Sequence, residues 1–289
     1  MASTDQLYFE DVTILGVGLI GASMALALRE NGLCRTIVGF GRKEENLKRA
    51  KDLGIIDRYS LDAAATVVGA DLIILCTPVG MLKDIAVTIR PALKQGALVM
   101  DVGSVKGGLV ADLEFVMPDG VDFVGSHPIA GSDKSGIDDS RGSLFVGARC
   151  IVTPTPRSSK EAVAKVSSLW TASGGLVECM DPFRHDEIFA LVSHMPHIIA
   201  YAMVNAVESI NPKCVEYSGG GFRDTTRIAA SSPELWRDIC IMNRDNLLNV
   251  LDSFNANLLK IEQCLKENDW AGIENEFIRA QKLRMSLEK

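Results

Sequence analysis

VTILGVGLIGASMALAL, residues 12–28, decides the fold. Val12 to Leu15 has the composition of a buried strand, GVGLIG (Gly16 to Gly21) follows at once, and the Ala/Leu-rich stretch Ala22 to Leu28 reads as a helix. A GxGxxG pattern is common by chance, but between a strand and a helix each glycine has a physical task. Gly16 makes the tight turn, Gly18 admits a pyrophosphate close to the backbone, and Gly21 lets helix and strand touch. The first amides of the helix then face the phosphates. Leu19 and Ile20 open that helix and join the three glycines as candidate cofactor-binding residues. A glycine-rich loop without a ligand is the alternative, and the strand and helix in register at the start of the domain weigh against it.

Working outward, the first half alternates buried-strand runs with helical stretches, the pattern of a parallel sheet covered on both faces. Six strands are expected: Val12 to Leu15, Thr36 to Phe40, Leu72 to Cys76, Leu98 to Asp101, Phe123 to Gly125 and Arg149 to Thr153. Ligands of such sheets sit at the carboxyl ends of the strands. There the chain places GVGLIG, CTPVG (Cys76 to Gly80), DVGSVKG (Asp101 to Gly107) and GSHPIAG (Gly125 to Gly131). Thr77 of CTPVG is a further cofactor-binding candidate. A cofactor without a 2′-phosphate meets a carboxylate at the end of the second strand, about 20 residues past the glycines. Gly41 occupies that position here, followed by Arg42 and Lys43. This favours NADP, or tolerance of both NADP and NAD, with Arg42 as the contact; the alternative is a solvated helix start neutralised by Glu44 and Glu45.

Beyond Asp181 strand signals fade, and helical period runs from Phe183 to Glu208 and from Pro233 to the C-terminus. The expected architecture is an α/β Rossmann domain with a doubly wound, mainly parallel sheet over residues 1–180, then an all-helical domain over residues 181–289. Ser232 before Pro233 is a cap followed by a residue preset for the first turn. Leu247, Leu251, Phe254, Leu258, Ile261 and Leu265 recur at spacings of four and three, the seam of paired helices. Such a seam is either intramolecular core or the joint of a homodimer.

Composition narrows the partners. The 289 residues are 47% hydrophobic, enough for substantial cores, and 37 acidic residues outnumber 30 basic ones. No basic stripe for nucleic acid is present. Seven cysteines, odd in number and without a CxxC pair, read as reduced thiols of the cytoplasm. The N-terminus lacks a signal-peptide core and no apolar run approaches a membrane span, so neither export nor a membrane is expected.

GSHPIAG sets one of only four histidines, His127, in a glycine-flanked turn at the end of a strand. Neutral imidazole is the side chain suited to accept a proton near neutral pH, so His127 is the candidate base; a satisfied structural histidine is the alternative. Ser104 of DVGSVKG reads equally as a helix cap or as a donor to substrate. Lys106 reads as a helix-surface charge rather than a catalytic cation. In SHMPH (Ser193 to His197), His194 and His197 lie three apart, but no third ligand accompanies them and Pro196 intervenes, so no metal is expected and His197 is assigned to substrate. GGGFRDTTRIA (Gly219 to Ala229) brings Arg223, Asp224 and Arg227 together ahead of Trp236. That cluster reads as a clamp for a substrate carboxylate, which arginine binds through two parallel hydrogen bonds.

Through GVGLIG, CTPVG, DVGSVKG, GSHPIAG, SHMPH and TRIAASSPELWRDI (Thr226 to Ile239), nearly the whole chain resembles the prephenate and arogenate dehydrogenases of tyrosine biosynthesis. The resemblance implies a Rossmann domain followed by a helical domain that also forms a dimer. It places the catalytic histidine on His127, the substrate-contacting serine on Ser104, the second histidine on His197 and the carboxylate-binding arginine on Arg227. Asp133, Asp224 and Trp236 fall where the family lines or supports the pocket. The implied reaction is oxidative decarboxylation of prephenate, to 4-hydroxyphenylpyruvate, or of arogenate, to tyrosine, with NAD(P) as hydride acceptor.

Gly41 departs from the acidic residue that many relatives carry. The chain stops at Lys289 without a regulatory extension, so feedback by tyrosine is expected to act as product-like competition. A 3-hydroxyacid or imine-type dehydrogenase shares the two-part plan but lacks the histidine segment. A non-catalytic dinucleotide sensor needs only GVGLIG and leaves His127 and Arg227 without purpose.

Overall fold

The computed structural model describes residues 7–131 and 136–287. Eight strands form one sheet: β1 (Phe9–Leu15), β2 (Cys34–Phe40), β3 (Arg58–Ser60), β4 (Leu72–Leu75), β5 (Leu98–Asp101), β6 (Asp122–Pro128), β7 (Arg149–Thr153) and β8 (Leu176–Cys179). Their order is β3-β2-β1-β4-β5-β6-β7-β8, so the direction of winding reverses between β1 and β4. All neighbours are parallel except β6 and β7. The six expected strands are present. The two that sequence reading missed are edge strands: β3 has three residues, too few for a period, and β8 is largely exposed.

One expectation is corrected at the site itself. GSHPIAG is not a turn up to His127, because β6 continues through Pro128 and pairs His127 with Ile151 of antiparallel β7. Glycine and proline signal a turn locally, but an adjacent strand offers a ladder that extends the pairing, and proline is tolerated at its end.

Strand alternation sorts side chains onto two faces. Ile14 and Ile74 join a core with Met24, Leu28, Phe145 and Trp170. Leu15, Ile73 and Leu75 join another with Leu82, Leu109 and Leu113. Helices α1 (Leu19–Glu30), α2 (Glu44–Asp52), α3 (Ala63–Thr66), α4 (Leu82–Ile89), α5 (Gly107–Val116) and α6 (Lys160–Ala172) cover the sheet. β4 and β5 are buried along their whole length, as strands covered on both sides must be.

The helical half begins at Pro182, where Asp181 accepts hydrogen bonds from Phe183 N at 2.9 Å and Arg184 N at 3.1 Å. α7 (Pro182–Phe189), a π-helical turn (Ala190–His194) and α8 (Met195–Ile210) form one rod. Pro196 does not break it, since it follows directly on the π-helical turn, where the regular pairing of the helix is already altered. By length and composition the 29-residue rod reaches the span of a membrane-crossing helix, with a hydropathy of 1.3 over its most apolar window, contrary to the expectation that no run approaches one. Three histidines and Asp186 lie along it, which hides its overall apolar character from a residue-by-residue reading.

α9 (Gly220–Thr226), α10 (Pro233–Met242), α11 (Arg244–Glu267) and α12 (Trp270–Ser286) complete the chain. Ser232 caps α10 as read, accepting from Leu235 N at 3.3 Å. Ile239 enters the second core, with Leu235 and Trp236 packed against it, and this docks the helical half on the sheet domain. The leucine seam of α11 is not an internal core: Leu247 is buried, but Leu258 and Leu265 are 53% and 54% exposed.

Candidate active site

The cofactor crevice lies where the winding reverses, at the carboxyl ends of β1 and β4. Gly16 has φ +109°, and a Cβ there would stand 2.7 Å from the Cys76 carbonyl carbon. A Cβ on Gly21 would collide with the Gly16 carbonyl oxygen, whereas Gly18 faces open space. The turn is thus compact behind and bare in front. A cavity of about 270 Å³ follows, lined in part by Gly16, Gly18, Arg42, Lys43, Asn46 and Thr77. The Leu19 and Ile20 side chains pack on the first core, so only their first-turn amides are available to a ligand. Thr77 Oγ1 is buried without a hydrogen-bond partner among the described residues. A bare glycine turn, a helix start and an orphaned hydroxyl fit a dinucleotide phosphate.

Next along the sheet, Asp101 ends β5 and is fully buried with Lys106, to which it is ion-paired. Asp101 also accepts from Gly103 N at 2.8 Å and Ser126 N at 3.3 Å, while Ser126 Oγ donates to the Asp101 carbonyl at 2.6 Å. Lys106 is therefore neither a surface charge nor a free cation; it pins the loop carrying Ser104 against β6. Nor is Ser104 a helix cap. α5 starts at Gly107, and its first amides are capped from the other half of the chain, by Asp186, which accepts from Lys106 N and Gly107 N at 2.8 Å each. Ser104 is partly exposed, and its backbone lies beside the His194 ring.

His127 stands at the end of β6 with partial access to solvent. Its Nδ1 lies 2.8 Å from Nε2 of His185, whose Nδ1 lies 2.8 Å from Asp186 Oδ1. Phe189 stacks on His185, centroids 4.3 Å apart, and touches His127 at 5.0 Å. Burial, then the neighbouring His185, Lys106 and His194, hold the His127 imidazole well below the usual histidine range. Burial pushes His185 down to about 2 and His194 to about 4. His127 is consequently a neutral ring at neutral pH, the form that accepts a proton.

Asn243 links His194 to the backbone of Asp186. Its Nδ2 donates to the Asp186 carbonyl at 2.9 Å and lies 3.0 Å from His194 Nδ1, while its Oδ1 accepts from Asn246 at 2.8 Å. His194 approaches the Trp236 ring edge-on at 6.0 Å, and His197 stacks flat on it at 3.6 Å. His197 Nδ1 is bonded to the Ser193 carbonyl at 2.9 Å, and the Arg227 guanidinium is close enough to lower its pKa, after burial. Arg223, Asp224 and Arg227 are exposed at the outer edge of this wall. A path of contacts therefore joins His127 to His197, whose pKa the Arg227 charge lowers. Asp133 lies outside the described residues. Among those residues no group of three or more potential ligands could hold a metal.

Sequence reading missed His185, Asp186, Phe189, His194 and Asn243 as parts of the site. A signal was available: the chain has only four histidines, and all four stand on this one wall.

Comparison with known proteins adds to this geometry. Residues 24–179 match the family model described as prephenate dehydrogenase, nucleotide-binding domain, and residues 181–279 match prephenate dehydrogenase, dimerization domain. The cyclohexadienyl dehydrogenase of Zymomonas mobilis is 36% identical over 284 residues, 97% of this chain and 97% of its own. The prephenate dehydrogenase of Bacillus subtilis is 34% identical over 285 residues, 96% of this chain and 76% of its own. The crystal structure of A. aeolicus prephenate dehydrogenase in complex with hydroxyphenyl propionate and NAD+ superposes with a TM-score of 0.92 at 36% identity, covering 98% of this chain and 100% of that one.

Proposed function

The chain belongs to the prephenate dehydrogenase family, and from that premise we propose how its own side chains carry out the oxidative decarboxylation of a cyclohexadienol, prephenate or arogenate, in tyrosine biosynthesis. The protein is an oxidoreductase that uses a nicotinamide dinucleotide. Thr77 Oγ1 and the first amides of α1 would hold the phosphates of a dinucleotide at the glycine turn, and that cofactor would supply the acceptor for the hydride of ring C4. His127 takes the proton of the C4 hydroxyl, so that positive charge does not build up on C4 and its oxygen as the hydride leaves. Ser104 donates to the same hydroxyl and aims it at the imidazole. The ring carboxylate leaves as carbon dioxide and the ring becomes aromatic, which makes the overall change strongly downhill. Arg227 binds a substrate carboxylate, with Asp224 beside it, while His197 and Trp236 line the pocket and fix the pose. The observation that carries this reading is a neutral, partly exposed His127 joined by contacts to His197, which feels the charge of Arg227.

NADP is the favoured cofactor. No carboxylate stands at Gly41, and among the described residues neither Arg42 nor Lys43 has an ion-pair partner. Glu44, a candidate for neutralising them, is engaged by Lys48 at 3.2 Å and by the Tyr59 hydroxyl at 3.2 Å. We place the domain division at residues 180/181 and assign the open faces of α11 and α12 to a homodimer. All seven cysteines are free thiols, in keeping with the cytoplasm. Steady-state assays crossing prephenate and arogenate with NAD and NADP test the reading. Turnover of at least one substrate is expected, with a lower KM for NADP than for NAD. Cofactor binding without turnover of either substrate overturns it.

A further inference from the structure

We infer that His185 and Asp186 are positioning residues that set the tautomer of His127, making its Nε2 the basic nitrogen of the reaction. The inference rests on His127 being the proton acceptor and deepens that reading.

Hydrogen-bond directions, followed from the buried end toward the cleft, leave one arrangement. Asp186 receives a backbone N–H on each oxygen, Lys106 N on Oδ1 and Gly107 N on Oδ2, both at 2.8 Å. Two such donors match a carboxylate, which only accepts. His185 Nδ1, 2.8 Å from Oδ1, must then carry the proton of that contact. In a neutral imidazole the other nitrogen holds the lone pair, so His185 Nε2 accepts. The atom 2.8 Å from it is His127 Nδ1, which has to be N–H, and this leaves His127 Nε2 bare. The opposite polarity would set the His185 Nδ1 lone pair against a carboxylate oxygen. Phe189 touches both rings and keeps their planes from turning.

The balance of the step is simple. The C4 hydroxyl proton goes to His127 Nε2, and no proton needs to travel along the chain. The imidazolium so formed donates through Nδ1–H to His185, and the Asp186 carboxylate behind it faces the new positive charge. Both helpers belong to α7, whereas His127 belongs to β6, so the base is oriented only when the two halves of the chain are docked. His185 is fully buried, so it acts through His127, as orienting groups do in other acid–base sites.

Side-chain 1H–15N NMR of the full-length protein tests this without any substitution, with the His127 signals assigned by their loss in His127→Asn. A single Nδ1–H tautomer of His127 is expected, and an Nε2–H tautomer overturns the inference. His185→Phe retains a flat ring against Phe189 but removes both hydrogen bonds. It is expected to lower kcat about 100-fold or more, within the usual reach of acid–base assistance, with KM and cofactor affinity unchanged and with mixed His127 tautomers. His185→Gln, whose amide oxygen can accept from His127 Nδ1–H, should recover about tenfold of that loss. Near-normal kcat in His185→Phe overturns the positioning role while His127→Asn still reports on the base. Near-normal turnover in His127→Asn instead removes the reading on which the inference depends.

Discussion

The two halves of the chain solve the burial problem differently. In the sheet domain, strand alternation sends Ile14 and Leu15, or Ile73 and Ile74, into cores on opposite faces, and each core is closed by helices of the same chain. In the helical half only Phe189, Ala190, Ala200, Ile239 and Leu247 are buried among the hydrophobic residues described. Leu258, Leu265, Trp270 and Phe277 stand more than half exposed along α11 and α12. One half is complete in a single chain. The other has apolar helices but lacks a surface to lay them on, which is the geometry of a subunit joint rather than of a closed core. Six of the buried polar residues, Asp101, Lys106, His185, Asp186, His194 and Asn243, gather where the halves meet.

This contrast can be tested from its meeting line outward. His127→Asn, at the contact between the halves, should lower kcat by about 1,000-fold with little change in KM, since acid–base groups contribute about 100- to 10,000-fold. In the unsubstituted enzyme, the depressed His127 pKa keeps the ring neutral as the pH falls past 6.5. The acid limb of kcat/KM should therefore lie below that value, and a limb at or above it would contradict the burial argument. On the open helices, combining Leu258→Asp with Leu265→Asp should convert a dimer to a monomer by sedimentation velocity. Phe115→Asp, at the still more exposed Phe115 of the sheet domain, should leave assembly unchanged. If both variants or neither alter assembly, the contrast between the halves is wrong. Arg227→Ala should raise KM about 10- to 100-fold with kcat largely kept, the scale of a charged hydrogen bond. The smallest effect is expected at the far edge of the crevice, where Arg42→Ser should raise the KM for NADP about tenfold and leave that for NAD unmoved.

Legibility followed the same division. The glycine turn, the buried strands and the capped start of α10 were readable because each depends on a few neighbouring residues, as Ser232 and Pro233 illustrate. His127 was found for its residue type, yet its setting was misread: whether GSHP turns or extends is decided by β7, more than 20 residues away. Lys106 looked like a surface charge because nothing nearby in sequence says that Asp101 will be buried with it. Asp186 caps a helix 79 residues upstream of itself, a pairing without any local pattern. Local chemistry was therefore legible, and chemistry assembled across the two halves was not.

The widened turn Ala190–His194 has a consequence for how this rod tolerates change. A π turn accommodates about one residue more than an α turn, and each helical residue advances the azimuth by about 100°. Without that widening, regular α winding through the same residues would rotate everything beyond the turn by about 100° relative to what precedes it. His185 would keep its bearing while His197 swung away from Trp236. The extra residue acts as a phase adjuster, letting two stations on one rod point at the same chamber although uniform winding would set them apart.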